Sequence, residues 1–364
     1  MPQDVEFSVP FPFQVNPNLA AVRERNLQWA RTLGAISSSE AADRYLFSQV
    51  TDLAAYYYPD ADADDLALAY DLMTWFFQLD DKFTVPAGQH PTAAAADCQE
   101  MIRHTIGSPS SHGQDDSPLV AAFADVWARM ASGMSPLWRA RTAEALLEYL
   151  WGNLTEVADA RCGTVLGPGA MMELRRSTVG VRISLAMGER VGHFEVPALA
   201  WSSSHLEQMR LITTDHTIFV NEVVSLEKEE AAGEANLILT LMDHHDLTRT
   251  QAIDKLVKKA DTAVMRFLDH ERQIPQLCER LSLSLVQSAA VRQYAALMSA
   301  LIRGNYDWSR TAGRYSPEAK PLTPVAQGDV KAEGKGNDRP RGLGFSYGPT
   351  GPGTASIRTG VNYG

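Results

Sequence analysis

Between Pro17 and Tyr315, apolar positions recur at three- and four-residue spacing with few interruptions. That is the mark of amphipathic helices burying one face each. Residues 21–33 form the first such stretch and stop at Gly34, a C-cap signal. Residues 37–57 begin among serines able to cap a helix and stop before Pro59. Residues 64–83 are strongly apolar and end before Pro86. Further helices are predicted over roughly 92–106, 117–132, 136–162, 170–192, 204–230, 234–243, 248–272 and 282–312. Strand-like alternation bounded by hairpin turns is missing. The pattern predicts a single all-α domain, residues 21–316, with a central cavity between helices. Residues 1–20, with Pro2, Pro10, Pro12 and Pro17 among apolar residues, read as an extended strap on that body. Residues 317–364 are rich in Pro and Gly, lack helical periodicity and are predicted to be disordered.

Composition narrows the partners. The chain of 364 residues is 45% hydrophobic, so its core can be sizeable. A net charge of −11 and no dense basic stripe argue against a nucleic-acid partner. That charge suits a protein that meets anionic substrates only through bound cations. Cys98, Cys162 and Cys278 are odd in number and widely spaced, as expected of buried thiols in a reducing cytoplasm. The acidic, proline-rich opening is no secretory signal, and no apolar run reaches the ~20 residues that cross a bilayer. The expectation is a soluble cytoplasmic protein with no membrane span.

Within the predicted helix 204–230, Asn221, Ser225 and Glu229 recur at every fourth residue and fall on one stripe. An amide oxygen, a hydroxyl and a carboxylate form a hard-oxygen set suited to Mg²⁺, which keeps waters and is completed by substrate phosphate. Lys228 lies beside the stripe and could hold a phosphate oxygen. Taken alone, the stripe is equally the polar face of a solvated helix. Asp80 and Asp81 close the apolar helix 64–83, where carboxylates face the negative end of its dipole and need compensation. A divalent cation would supply it; a solvated helix end is the other reading. Phe76 and Phe77 lie one turn earlier, as core packing or as rings facing a cavity. Arg175 and Arg176 form a pair able to bind diphosphate bidentately. Arg314 and Tyr315 either donate to phosphate or cap the last helix.

Together these segments resemble the bacterial class I terpene synthases. An aspartate-rich motif follows an aromatic-rich helix, then come an arginine, the Asn-Ser-Glu triad ending in Lys-Glu, and a closing Arg-Tyr pair. Order and spacing agree over roughly residues 10–315, and Arg175 lies 46 residues before Asn221, as the family's diphosphate-contacting arginine does. The Pro-Phe-Pro-Phe-Gln-Val-Asn-Pro opening and Gly304-Asn-Tyr-Asp-Trp308 are also similar to bacterial sesquiterpene cyclases. One departure is that the family motif's later acid is replaced by Thr84 and Val85, which bears on how tightly a lid closes.

The resemblance implies a class I terpenoid synthase domain that binds Mg²⁺, three ions per site, through Asp80, Asn221, Ser225 and Glu229, with Asp81 supporting. It implies diphosphate contacts from Arg175, Lys228, Arg314 and Tyr315, and cavity walls that include Phe76, Phe77, Val179 and Trp308. The implied reaction is ionisation of a prenyl diphosphate, farnesyl diphosphate foremost, then cyclisation to a sesquiterpene and release of diphosphate. A homodimer is the assembly it suggests. The alternatives are a diterpene cyclase acting on geranylgeranyl diphosphate, a chain-elongating prenyltransferase, and a non-catalytic isoprenoid-binding protein. Two other acidic clusters read differently. Asp62-Ala-Asp-Asp65 opens a helix and is expected to cap it. Asp243-His-His-Asp246 is expected to be a solvated connector.

Overall fold

Helix signals in the sequence become helix ends in the computed structural model, which describes residues 4–83, 91–107, 117–316 and 318–319. The order is α1 (Leu19–Thr32), α2 (Ser39–Ser48), α3 (Leu53–Tyr57), α4 (Ala63–Phe83), α5 (Pro91–Thr105), α6 (Pro118–Ala131) and α7 (Pro136–Cys162). Then follow α8 (Pro168–Thr178), α9 (Val181–Val191), α10 (Ala198–Trp201), α11 (Ser204–Ala232), α12 (Leu237–His245), α13 (Arg249–Glu271), α14 (Ile274–Arg280) and α15 (Leu285–Thr311). Short 3₁₀ turns occupy Val50–Asp52 and Gly313–Tyr315. There is no strand among the described residues. Serine oxygens cap α6, α7 and α11. Thr248 with Gln251, and Ser284 with Gln287, form reciprocal capping boxes on α13 and α15. Gly163 and Gly233 close α7 and α11 in the left-handed conformation.

Two predicted helices are broken. The stretch 37–57 divides at Gln49, which takes φ 54°. Its carbonyl accepts a bond from the Trp308 indole at 2.7 Å, a partner far away in sequence. The stretch 170–192 divides at Gly180, with φ 73°. A Cβ there would meet the Phe76 ring at 3.1 Å, so the close approach of α4 and the backbone turn both ask for glycine. The pattern also missed the short helices α10 and α14. As expected, Asp62 caps α4 by accepting from the backbone of Asp64 and Asp65, each at 2.9 Å. Asp243, His244 and His245 are exposed on the last turn of α12, and Asp246, also exposed, closes it in the left-handed conformation, so most of the expected connector is helix.

The core runs along α4, α11 and α15. Leu66, Leu72, Met73, Trp75 and Leu79 of α4 are buried, with Val220, Val223 and Leu226 of α11 and Met298, Leu301 and Ile302 of α15. Each such side chain contributes roughly 1.5–3 kcal/mol over an exposed one. α4 packs on α1, α3 and α6; α11 packs on α13 and α15. Chain N-terminal to α1 lies on this frame: Phe7 meets Tyr306, Phe11 meets Phe267, and Arg303 donates to the carbonyls of Val9 and Phe11. No helix among the described residues is long and apolar enough to cross a membrane. Thr84, Val85 and, apart from residues 318–319, the predicted disordered segment 317–364 lie outside the described residues.

Candidate functional site

The C-terminal turn of α4 carries Asp80 and Asp81, and Arg314 on the last 3₁₀ turn reaches both. Its Nη2 donates to Asp80 Oδ2 at 2.5 Å and to Asp81 Oδ1 at 2.9 Å. The Asp81 side chain is 2% exposed and that of Asp80 53%. The guanidinium carbon of Arg314 sits 4.8 Å from the Phe77 ring centroid. Burial works against the charge of Arg314, but Asp81 and Asp80 outweigh it and hold its pKa above the ordinary value. Part of the positive charge required at this helix end therefore comes from the chain itself.

The second half of the site is built on α11, whose helical repeat aligns Asn221, Ser225 and Glu229. Arg175, near the end of α8, donates from Nε to Glu222 Oε1 at 2.6 Å and from Nη2 to Asn221 Oδ1 at 2.7 Å. Its Nη1 lies 3.7 Å from Glu156 Oε1. Asn221 donates in turn to the Tyr315 hydroxyl at 3.1 Å. Ser225 Oγ donates to the Asn221 carbonyl at 2.7 Å, and Glu229 Oε2 accepts from Asn236 at 2.8 Å. Lys228 Nζ stands 3.8 Å from Glu234 Oε2. Because Tyr315 directly follows Arg314, one short turn touches both halves. Burial, with Glu229 and Asp80 adding to it against Arg314, pushes the Tyr315 phenol up to about 12, so it is a donor at neutral pH.

Negative charge is in excess among these groups. Among the described residues, the cations set against Asp80, Asp81, Glu156, Glu222, Glu229 and Glu234 are Arg175, Arg314 and Lys228. Burial, the largest cause in each case, raises the pKa of Glu156 and Glu229 and brings Glu234 to about 7. A buried carboxylate excess with amide and hydroxyl oxygens alongside fits a divalent cation.

Arg176 does not join the site. It turns to Asp215 at 2.7 and 2.9 Å and to Glu173. The four ring and apolar positions fall into two groups. Phe76 packs on Trp75 and Tyr149 at 5.1 Å each and against the break at Gly180, next to Val179. Phe77 packs on Trp308 at 5.7 Å, and Trp308 on Tyr315 at 5.6 Å. Sequence reading missed Glu156, Glu222, Glu234 and Asn236. For Glu222 a signal existed, an acid set among Val220, Val223 and Val224; the others become visible only by contact. A separate group, Asp62, Asp65 and His193, has ligand atoms within 4.8 Å of one another. There Asp62 is spent on capping, and Asp65 pairs with both His193 and Arg190.

Residues 71–266 match the family described as terpene synthase family 2, C-terminal metal binding. Pentalenene synthase of Streptomyces avermitilis is 37% identical over 327 residues, covering 87% of this chain and 95% of the relative. A (−)-β-caryophyllene synthase of Saccharothrix espanaensis, described as cyclising (2E,6E)-farnesyl diphosphate, is 33% identical over 321 residues, 87% of this chain and 90% of the relative. The crystal structure of the linalool/nerolidol synthase of Streptomyces clavuligerus superposes with a TM-score of 0.78 at 38% identity, covering 84% of this chain and all of that one.

Proposed function

The chain belongs to the class I terpene synthases, and on that premise we propose that it ionises farnesyl diphosphate with Mg²⁺ and cyclises the cation to a sesquiterpene. The observation that supports this most is the run of contacts from Arg175 through Asn221 to Tyr315, with Arg314 beside it on Asp80 and Asp81. Asp80, Asn221, Ser225 and Glu229 would hold Mg²⁺. When bound, the metal neutralises charge on the leaving diphosphate. The rest falls to the chain. Arg175, Lys228, Arg314 and Tyr315 donate hydrogen bonds to diphosphate oxygens, where charge grows as the carbon–oxygen bond breaks. The resulting allylic cation needs an apolar, dry wall, and Phe76, Phe77, Val179 and Trp308 are the side chains we assign to it. No nucleophilic side chain is required.

A second reading has its own support. The likeness to a linalool/nerolidol synthase, at 38% identity, favours an acyclic alcohol formed by water capture of the same cation. Incubating the purified protein and Mg²⁺ with the ten-, fifteen- and twenty-carbon prenyl diphosphates separates the readings by mass spectrometry. A cyclic fifteen-carbon product is expected; an acyclic alcohol supports the second reading. Twenty-carbon preference would move the substrate assignment. Glu229→Gln, which keeps shape and removes charge, is expected to lower turnover at least ~100-fold, about 2.7 kcal/mol of barrier. Full turnover by that folded variant would remove Glu229 from the metal set.

A further inference from the structure

Asn236 sits in the turn between α11 and α12, 1% exposed, and every polar atom of its side chain is used. Oδ1 accepts from the backbone of Ile238 at 2.8 Å, which caps α12. Nδ2 carries two hydrogens and has two acceptors: the Glu222 carbonyl at 2.9 Å and Glu229 Oε2 at 2.8 Å. The amide cannot turn over without setting Oδ1 against a carbonyl and a carboxylate, so its orientation is fixed by the network. The next residue continues the arrangement. The Leu237 backbone N–H donates to Glu222 Oε2 at 2.6 Å, while Glu222 Oε1 holds Arg175. One helix start therefore meets both Glu229 and, through Glu222, Arg175.

We infer that Asn236 is a positioning residue for the metal centre, acting through Glu229; this rests on the reading of Glu229 as a metal ligand. A glutamate has three side-chain torsions, and holding it in one ligating pose costs entropy. A bond to Oε2 removes much of that freedom before the metal arrives. It leaves Oε1, which accepts no hydrogen bond from a described residue, for the cation. Partners of this kind tune metal affinity by 10–100-fold when removed. Capping alone would make no such demand on Nδ2, because the cap uses only Oδ1.

The separation of the two roles gives the test. Asn236→Ser keeps a capping oxygen and loses both donors. Binding of Mn²⁺, a spin-active probe, is measured with inorganic diphosphate present, beside the thermal midpoint, in wild type, Asn236→Ser, Glu229→Gln and the double variant. We expect Mn²⁺ affinity to fall about 10-fold or more in Asn236→Ser, beside the lower midpoint that the loss of two buried bonds brings. In the Glu229→Gln background, where the charge to be oriented is gone, the same change should add little. A lower midpoint with unchanged Mn²⁺ affinity, or an equal factor in both backgrounds, would show a structural role and overturn the inference. If Asn236→Ser does not fold, Asn236→Asp retains both cap and shape but sets a carboxylate against Glu229; wild-type affinity there overturns it equally. Failure of the wild-type protein to take up Mn²⁺ with diphosphate would sink the functional reading and this inference with it, whereas wild-type binding with an unaffected variant sinks this inference alone.

Discussion

Asp80 and Asp81 share one arginine nitrogen yet differ in surroundings, and the difference separates their expected roles. Asp81 is almost fully buried and holds Arg314 in place, whereas Asp80 keeps a half-exposed face through which a cation can be reached. Asp81→Asn weakens a buried charge-assisted bond, a loss of about 1.5–3 kcal/mol that should appear chiefly as a lower melting temperature. Asp80→Asn removes charge from the accessible side and should appear chiefly as lost turnover, with stability nearly kept. Measuring kcat and Tm for both variants tests this, and the reverse pattern would exchange the two assignments. The same scale shows what the sequence could disclose. The Asn-Ser-Glu stripe follows from helical geometry alone, because its three residues lie on one element. That Arg314 closes on Asp80 and Asp81 does not, since 234 and 233 residues separate the partners.

Elements repeat the lesson. Helices with a serine start and a glycine end were legible because both signals are local, as at α7 and α11. The kink at Gln49 was not, because the indole that takes its carbonyl lies on α15. The break at Gly180 stood in plain view as a glycine inside an apolar repeat, but such a glycine also fits a continuous helix at modest cost. Its placement matters because α8 ends there, carrying Arg175, and the Phe76 ring of α4 fills the notch. Gly180→Ala must put a Cβ at φ 73° and push that ring by a few tenths of an ångström. We expect a cost of about 1–2 kcal/mol from the left-handed backbone alone. Because the ring and Val179 both belong to the proposed cavity wall, the product mixture should shift as well. Chemical denaturation and product analysis of the same variant check both; unchanged stability and products would mean that the break is not held by this contact.

At the scale of the whole molecule, pH dependence can be traced to a residue outside the site. His216 lies on α11, fully buried, with Phe7 at a ring separation of 6.5 Å. Neither ring nitrogen has a hydrogen-bond partner among the described residues. Burial pushes its pKa down to about 4, so the folded protein holds the ring neutral. In the unfolded chain the ring titrates near 6.5. A base whose folded pKa is depressed is protonated more readily when unfolded. Its penalty is absent above the unfolded value and grows as pH falls from about 6.5 toward about 4. At pH 5.5 the two constants give a loss on the order of 1 kcal/mol relative to pH 7.5. His216→Leu cannot titrate, so the difference in unfolding free energy between wild type and variant should change by about that amount between the two pH values. Urea denaturation of both proteins at pH 7.5 and 5.5 measures it. A difference that stays constant would mean that the ring keeps an ordinary pKa in the fold; the loss could not be passed to Glu156, Glu229 or Glu234, whose raised pKa values favour the folded state as pH falls.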